Sequence, residues 1–127
     1  MHSEITFQFE ELIVYQKALD VIDYVYDQTK SFPKEELYGL ISQFRRAAVS
    51  ISLNLAEGTS RSKTDYRRFL DIAQGSVFEC VALLEICKRR KFIYEEQHSH
   101  LRLSFSELSK MISGLKRSLG FPGRGQC

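Results

Sequence analysis

The feature that most constrains the fold of this chain is a hydrophobic repeat of three and four residues that returns in four long stretches. The last stretch shows the repeat most clearly, at Leu101, Phe105, Leu108, Ile112, Leu115 and Leu119. This spacing places side chains on one face of an α-helix. Only two prolines and seven glycines punctuate the 127 residues, which is too few for the turns of a β-sandwich or a barrel. The sequence therefore predicts an all-α fold.

The repeat predicts four helices, over about residues 9–31, 34–57, 63–91 and 95–119. Short connections between consecutive helices favour an up-down-up-down antiparallel four-helix bundle. Residues 49–55 alternate between apolar and polar side chains and also fit a strand, but no turn signal separates them from the helical residues before them. We expect the chain 1–127 to form a single domain with a short N-terminal arm and a C-terminal tail.

Several residues mark the ends of these helices. Ser62 and Asp65 have the spacing of a helix start, in which the serine side chain caps the first turn. Gly58 and Gly120 follow hydrophobic repeats and are predicted to be C-terminal caps.

The three cysteines do not predict a disulfide framework. Cys80 and Cys87 are seven residues apart in a helical segment, which separates them by about 10 Å along the axis and prevents a disulfide between them. We expect two buried thiols in a reducing compartment, and an exposed thiol at Cys127. The first residues lack the features of a signal peptide, and no run of apolar residues is long enough to span a membrane. The expected location is the cytoplasm, with no membrane contact.

Charge is distributed unevenly along the chain. Residues 1–36 carry eight acidic and three basic side chains, whereas residues 37–91 carry five acidic and ten basic ones. The net charge of +2 hides this division. We expect an electrostatically divided surface, which bears on the choice of partner.

The sequence carries no recognisable catalytic motif. It has no glycine-rich phosphate loop, no paired-cysteine metal motif and no H-E-x-x-H segment. His98 and His100 are two residues apart, which points them in different directions on a helix, and we expect both in a solvated turn. We therefore predict that the protein is not an enzyme, with no catalytic residues, no metal, no cofactor and no small-molecule substrate.

The middle two helices carry more apolar surface than one bundle needs. Helix two has no charge between Ala47 and Ala56, and helix three has a second apolar row through Leu70, Val77, Val81 and Leu84. A helix that is apolar nearly all round is usually buried nearly all round, but a four-helix bundle leaves one face of each helix outside. We therefore expect another copy of the chain to cover this face. The alternative is that these residues are scattered hydrophobic side chains on the surface. The predicted interface residues are Gln43, Ala47, Ser50, Asn54, Glu57 and Phe78.

Basic residues form the other notable group. They are Arg45 and Arg46 on helix two, Arg61 and Lys63 in the following loop, and Arg67 and Arg68 on helix three. We expect the last two to project from the outer side of their helix. Such side chains bind phosphate through charge-assisted hydrogen bonds. The alternative is that they pair with acidic neighbours, or that Arg45 and Arg46 serve subunit contacts.

One series of residues resembles a known family. The series runs through Phe9-x-x-Leu12, Phe32-Pro33, Leu40-x-x-Gln43-x-Arg45-Arg46-Ala47, Ser50, Asn54-x-x-Glu57-Gly58 and Gly75-Ser76-x-x-Glu79. It is similar to the four-helix-bundle family of 23S rRNA intervening-sequence proteins, across about residues 9–119. Cys80 and Val81 depart from the pattern, where the family usually has leucine and glutamate.

The resemblance implies a homopentamer. The accessory protein of diversity-generating retroelements has a related architecture, and that protein binds nucleic acid and a reverse transcriptase. Together with the basic residues, the resemblance leads us to expect an oligomeric bundle that binds nucleic acid, RNA in particular. The alternative is an oligomeric scaffold for other proteins that makes no direct contact with nucleic acid.

Overall fold

The computed structural model describes residues 5–120, in which four α-helices account for most of the chain and no strand occurs. The helices are α1 (Ile13–Thr29), α2 (Ser42–Gly58), α3 (Lys63–Arg89) and α4 (Glu95–Ser118). The predicted all-α fold is confirmed, and residues 49–55 are helical. The start of the N-terminal arm and the tail with Cys127 lie outside the described residues.

Neighbouring helices run antiparallel around one core. Between α3 and α4, Gln74 hydrogen-bonds to Ser109 and Ser113, whereas Glu85, eleven positions later, hydrogen-bonds to Arg102. The residue numbers at these contacts therefore increase along α3 while they decrease along α4, so the two helices are antiparallel. Helix α2 packs against α1 and α3, and α1 also packs against α4, which closes the four-helix arrangement.

The first two helices begin later than the repeat predicts. A short 3₁₀ turn at Gln8–Glu11 precedes α1. Another at Lys34–Glu36 and a π-helical turn at Leu37–Ile41 precede α2. The Glu36 side chain accepts a hydrogen bond from the backbone N–H of Leu40 at 3.4 Å, which stabilises this irregular entry. Apolar spacing alone does not distinguish such turns from α-helix, because segments of three to five residues are too short to show a different period.

The core draws on all four helices. Leu101, Phe105, Leu108 and Ile112 of α4 are buried, as the repeat predicts. The second apolar row of α3 is also buried inside the single chain, at Leu70, Val77 and Leu84, so these residues do not face another copy. Cys80 and Cys87 are buried and unpaired. Burial raises the pKa of the Cys87 thiol to about 12 and raises that of Cys80 as well, so neither is a ready nucleophile.

Two of the three predicted helix ends are confirmed. The Ser62 hydroxyl accepts a hydrogen bond from the N–H of Asp65 at 3.3 Å, and Gly120 adopts a positive φ of 78°. Gly58 is the exception, because it lies in the last turn of α2 without a positive φ. A Cβ at Gly58 would lie 2.7 Å from Cδ1 of Tyr66 and 3.2 Å from Cβ of Phe69. Its role is therefore the close approach of α2 to α3, not a left-handed cap.

Replacement of Ile112 by alanine tests the core. Ile112 is 1% exposed in the middle of α4, so the lost methyl groups leave a cavity that the surrounding helices fill only partly. We expect the free energy of unfolding, measured by urea denaturation, to fall by about 2–5 kcal/mol. Leu103→Ala is the matched control, because Leu103 is 61% exposed on the same helix. An equal, small loss in both variants would contradict the described packing.

Candidate functional site

The connection between α2 and α3 gathers three exposed cationic side chains, Arg61, Lys63 and Arg68, at one end of the bundle. The guanidinium carbons of Arg61 and Arg68 lie 5.2 Å and 5.3 Å from the ring centre of Phe69. Cation–π contact of this kind holds long, flexible side chains near a rigid ring. The helix cap at Ser62 fixes the start of α3 and so sets the position of this group.

Two of these cations also form ion pairs. Arg61 pairs with Glu57 one turn earlier in the chain, and Arg68 pairs with Asp65 at 3.4 Å. Lys63 makes no ion pair with any residue in the described part of the chain. The pairings anticipated as the alternative to phosphate binding are thus present, although both lie at the surface.

Arg67 does not project from the outer side of α3, and that expectation is wrong. Its side chain is 8% exposed, and Nε and Nη1 are buried without a hydrogen-bond partner among residues 5–120. Arg67 lies two turns before Gln74, on the side of α3 that faces α4. The aliphatic stem of an arginine can pack against apolar neighbours, which a reading of charge alone overlooks.

Arg45 and Arg46 differ from each other in their surroundings. Arg45 donates from Nε to the hydroxyl of Thr29 at 2.8 Å and lies 4.4 Å from the ring centre of Tyr26. It therefore joins α2 to α1. Arg46 is exposed and makes no ion pair within the described residues. Of the two, only Arg46 is free for an external ligand.

The predicted row of small and polar residues on α2 is largely a seam within the chain. Ala47 is buried against the core, so its assignment to a subunit interface is wrong. The hydroxyls of Ser50 and Ser76 lie 2.9 Å apart, and Asn54 Nδ2 donates to the carbonyl of Ser50 at 2.8 Å. Ser50 and Asn54 remain half-buried, and Gln43 and Glu57 are exposed. The row therefore contributes to the contact between α2 and α3. Only Gln43 and Glu57, at its two ends, remain exposed.

Large apolar side chains do remain exposed outside this seam. Leu53 is 63% exposed on α2, and Ile72 and Ile86 are exposed on the side of α3 that lies nearer α2. Phe78 is also 63% exposed, but it lines a groove between α3 and α4. The structure therefore does not bring Phe78 together with the other five predicted interface residues.

A polar cluster that sequence reasoning did not identify joins α3 to α4. His98 is buried, contrary to the expected solvated turn, and its Nε2 lies 2.6 Å from Glu85 Oε2. Arg102 Nη1 donates to the same oxygen at 2.8 Å. The hydrogen bond with His98 and the charge of Arg102 hold the pKa of Glu85 below its ordinary value. The helical pattern gave no sign of this cluster, because Glu85 and its partners lie on different helices.

Within residues 5–120, no group of three or more histidine, cysteine or acidic side chains is arranged to hold a metal ion. None of the described helices combines the length and apolarity that crossing a bilayer requires.

Comparisons with known proteins agree with the fold. The sequence model of a family described as 23S rRNA-intervening sequence protein matches residues 10–114. A crystal structure at 1.70 Å from Bacteroides thetaiotaomicron, of a protein of unknown function from the S23 ribosomal protein family, is similar with a TM-score of 0.76 and 23% identity. The similarity covers 83% of this chain and 96% of that one. A search of curated proteins finds no significant match.

Replacement of Glu85 by glutamine tests the polar cluster through its pH dependence. Because the folded state lowers the pKa of Glu85 below its ordinary value of 4.5, the ionised carboxylate adds stability above that pH. This contribution disappears as the pH falls through the lowered pKa. We expect Glu85→Gln to be less stable than the parent at pH 5, and the difference to shrink by pH 3, in urea denaturation. Asp23→Asn, on the exposed face of α1, is the control. A difference that does not change with pH would contradict the cluster.

Proposed function

Because the chain belongs to the family of 23S rRNA-intervening sequence proteins, we propose that it is a non-enzymatic, self-associating helical bundle that binds RNA. The binding group is the exposed set of Arg61, Lys63 and Arg68 at the connection between α2 and α3. The observation that carries this proposal is the position of two guanidinium groups beside the ring of Phe69. Lys63, which forms no ion pair within residues 5–120, lies next to them.

The ion pairs at this connection do not prevent phosphate binding. Exposed pairs such as those of Arg61 with Glu57 and Arg68 with Asp65 contribute only about 0.2–1 kcal/mol each. A phosphate offers charge-assisted hydrogen bonds of at least comparable strength. Residues 57–68 carry four cationic and two acidic side chains, so the segment keeps an excess of positive charge.

The acidic face of α1 supports binding at one region of the surface. Asp20, Asp23 and Asp27 are exposed there, and only Asp27 forms an ion pair within the described residues, with Lys30 at 3.4 Å. The negative charges of these carboxylates repel phosphate, so we expect RNA not to bind this face. Since phosphate contacts carry no sequence information, we expect little preference between RNA sequences.

Self-association is the second part of the proposal. Leu53, Ile72 and Ile86 leave apolar surface exposed on the outer side of α2 and α3. A ring with an odd number of subunits needs two different surfaces, and the α2 side and the α3 side of this face supply them. The family resemblance favours a pentamer. Repetition of a weak cationic group around a ring would raise the apparent affinity for a long RNA.

A protein-binding scaffold is the second candidate. The ion pairs of Arg61 and Arg68 favour it, because they give these cations partners within the chain. In that case the exposed apolar residues would serve protein contacts alone, and RNA affinity would be absent at low salt.

RNA binding is tested with the triple variant Arg61→Gln, Lys63→Gln, Arg68→Gln. A single cluster of this kind binds non-specifically with a dissociation constant of roughly 10⁻⁴–10⁻⁶ M. We expect weaker binding in filter assays and a salt dependence flatter by about 0.7 per lost single-strand contact. The control, Lys88→Gln, Arg89→Gln, Arg90→Gln, removes the same charge at the other end of α3. Equal losses in both variants would show that only net charge matters, and unchanged binding in the first would reject the site.

Assembly is tested by Leu53→Asp and its matched control Leu103→Asp, which change leucines that are 63% and 61% exposed on α2 and α4. A charge buried in a subunit contact is strongly unfavourable, whereas one at a free surface is not. We expect light scattering to give a mass near five times 14.7 kDa for the parent and for Leu103→Asp. Leu53→Asp should give a smaller mass. A monomeric parent at micromolar concentration would refute self-association.

A further inference from the structure

The groove between α3 and α4 combines features that neither the family match nor the basic cluster accounts for. Its volume is about 430 Å³, within the range of small-molecule sites. Val77 and Phe105, both buried, form its floor, and Val81 lies beside them. The exposed ring of Phe78 lines the α3 side.

The α4 side of the groove is cationic and hydroxyl-bearing. Residues at steps of four and three form a row on this side of the helix: Arg102, Ser106, Lys110, Ser113 and Arg117. The row contains no acidic residue. Lys110 has no ion-pair partner in the described part of the chain, so its charge is available. Arg102, in contrast, is held by Glu85.

Arg117 extends this row toward the basic end of the bundle. Its Nη2 lies 3.7 Å from the position that a Cβ would take at Gly114, so the side chain folds back along α4 toward Lys110. The ion pair between Asp71 and Lys116 places this end of α4 beside the first turns of α3. The row therefore leads from the end that carries Arg68 to the groove. Lys110 and Arg117 are separated by about 10.5 Å along the helix axis.

We propose that the groove between α3 and α4 holds one nucleotide of single-stranded RNA, with its base stacked on Phe78. Lys110 and Arg117 bind the adjoining phosphates, and the hydroxyl of Ser106 is placed for the ribose 2′-OH or a base edge. This inference rests on the proposed RNA binding and adds a stacking site that the cluster at the α2–α3 connection does not provide. Aromatic stacking beside cations is the usual chemistry of single-strand binding.

The shape and charge of the groove favour a nucleotide over a protein segment. A docked amphipathic helix needs a row of apolar pockets at helical spacing, whereas here one apolar floor meets one exposed ring. The charges on the α4 side complement phosphate. The groove is open to solvent and has room for one base, while the strand can continue along α4.

The experiment uses Phe78→Trp, because the chain contains no tryptophan and the variant reports on this position alone. A stacked base quenches indole fluorescence. We expect titration with an oligouridine to quench Phe78→Trp over the same concentration range in which the anisotropy of a labelled oligouridine rises. Tyr38→Trp, at a 93% exposed position before α2, is the control and should stay unquenched.

Two further variants separate the parts of the site. Phe78→Ala should weaken oligouridine binding by about 5- to 150-fold, the range for loss of one base–aromatic stack, and Phe78→Tyr should restore it. Lys110→Gln should lower the salt slope by about 0.7 while leaving the quenching at saturation unchanged.

The outcomes distinguish this inference from the proposed function. RNA that binds by anisotropy without quenching Phe78→Trp would overturn the groove site and leave RNA binding intact. An absence of binding at low salt would overturn both. A smaller assembly mass for Phe78→Ala, with unchanged RNA affinity, would show that the groove contacts a second copy of the chain and not a nucleotide.

Discussion

The close packing of α2 against α3 is the contact on which the rest of the structure depends. Gly58 permits it at one end, since a Cβ there would lie 2.7 Å from the ring of Tyr66. Near the middle, the hydroxyls of Ser50 and Ser76 meet at 2.9 Å. This packing turns the connection into a short, capped loop, and it thereby holds Phe69 and its flanking arginines at the end of the bundle. The position of the cationic group thus follows from Gly58, within one turn of Arg61, and from the small side chains of Ser50 and Ser76 about two turns farther along each helix.

The hydrophobic repeat was sufficient to predict four helices, and it located α3 and α4 closely. It misplaced the starts of α1 and α2, because 3₁₀ and π turns of four or five residues are too short to show a period different from that of an α-helix. It also classed Arg67 as a surface residue and Ala47 as an interface residue, although both are buried in the single chain. A helical repeat gives the side of a helix on which a residue lies, but it does not identify which neighbouring helix covers that side. That information requires the tertiary arrangement.

The same limit explains which site residues the sequence could reveal. The cations at the α2–α3 connection are close in sequence, so they could be identified directly. The cationic row on α4 is periodic and could have been recognised from its spacing. The groove beside it could not, because Phe78 comes from α3 and meets the row only in the folded bundle. The cluster of His98 with Glu85 and Arg102 is likewise a product of two helices that meet.

These features together describe a bundle with one acidic side on α1 and a cationic path from the α2–α3 connection along α4. The most direct test is photochemical cross-linking of the full chain to oligoribonucleotides that contain 4-thiouridine, followed by mass spectrometry of the linked peptides. The account predicts cross-links within residues 61–69 and in the peptides that contain Phe78 and Lys110, and none in α1. Cross-links concentrated in α1, or spread evenly over the surface, would contradict it.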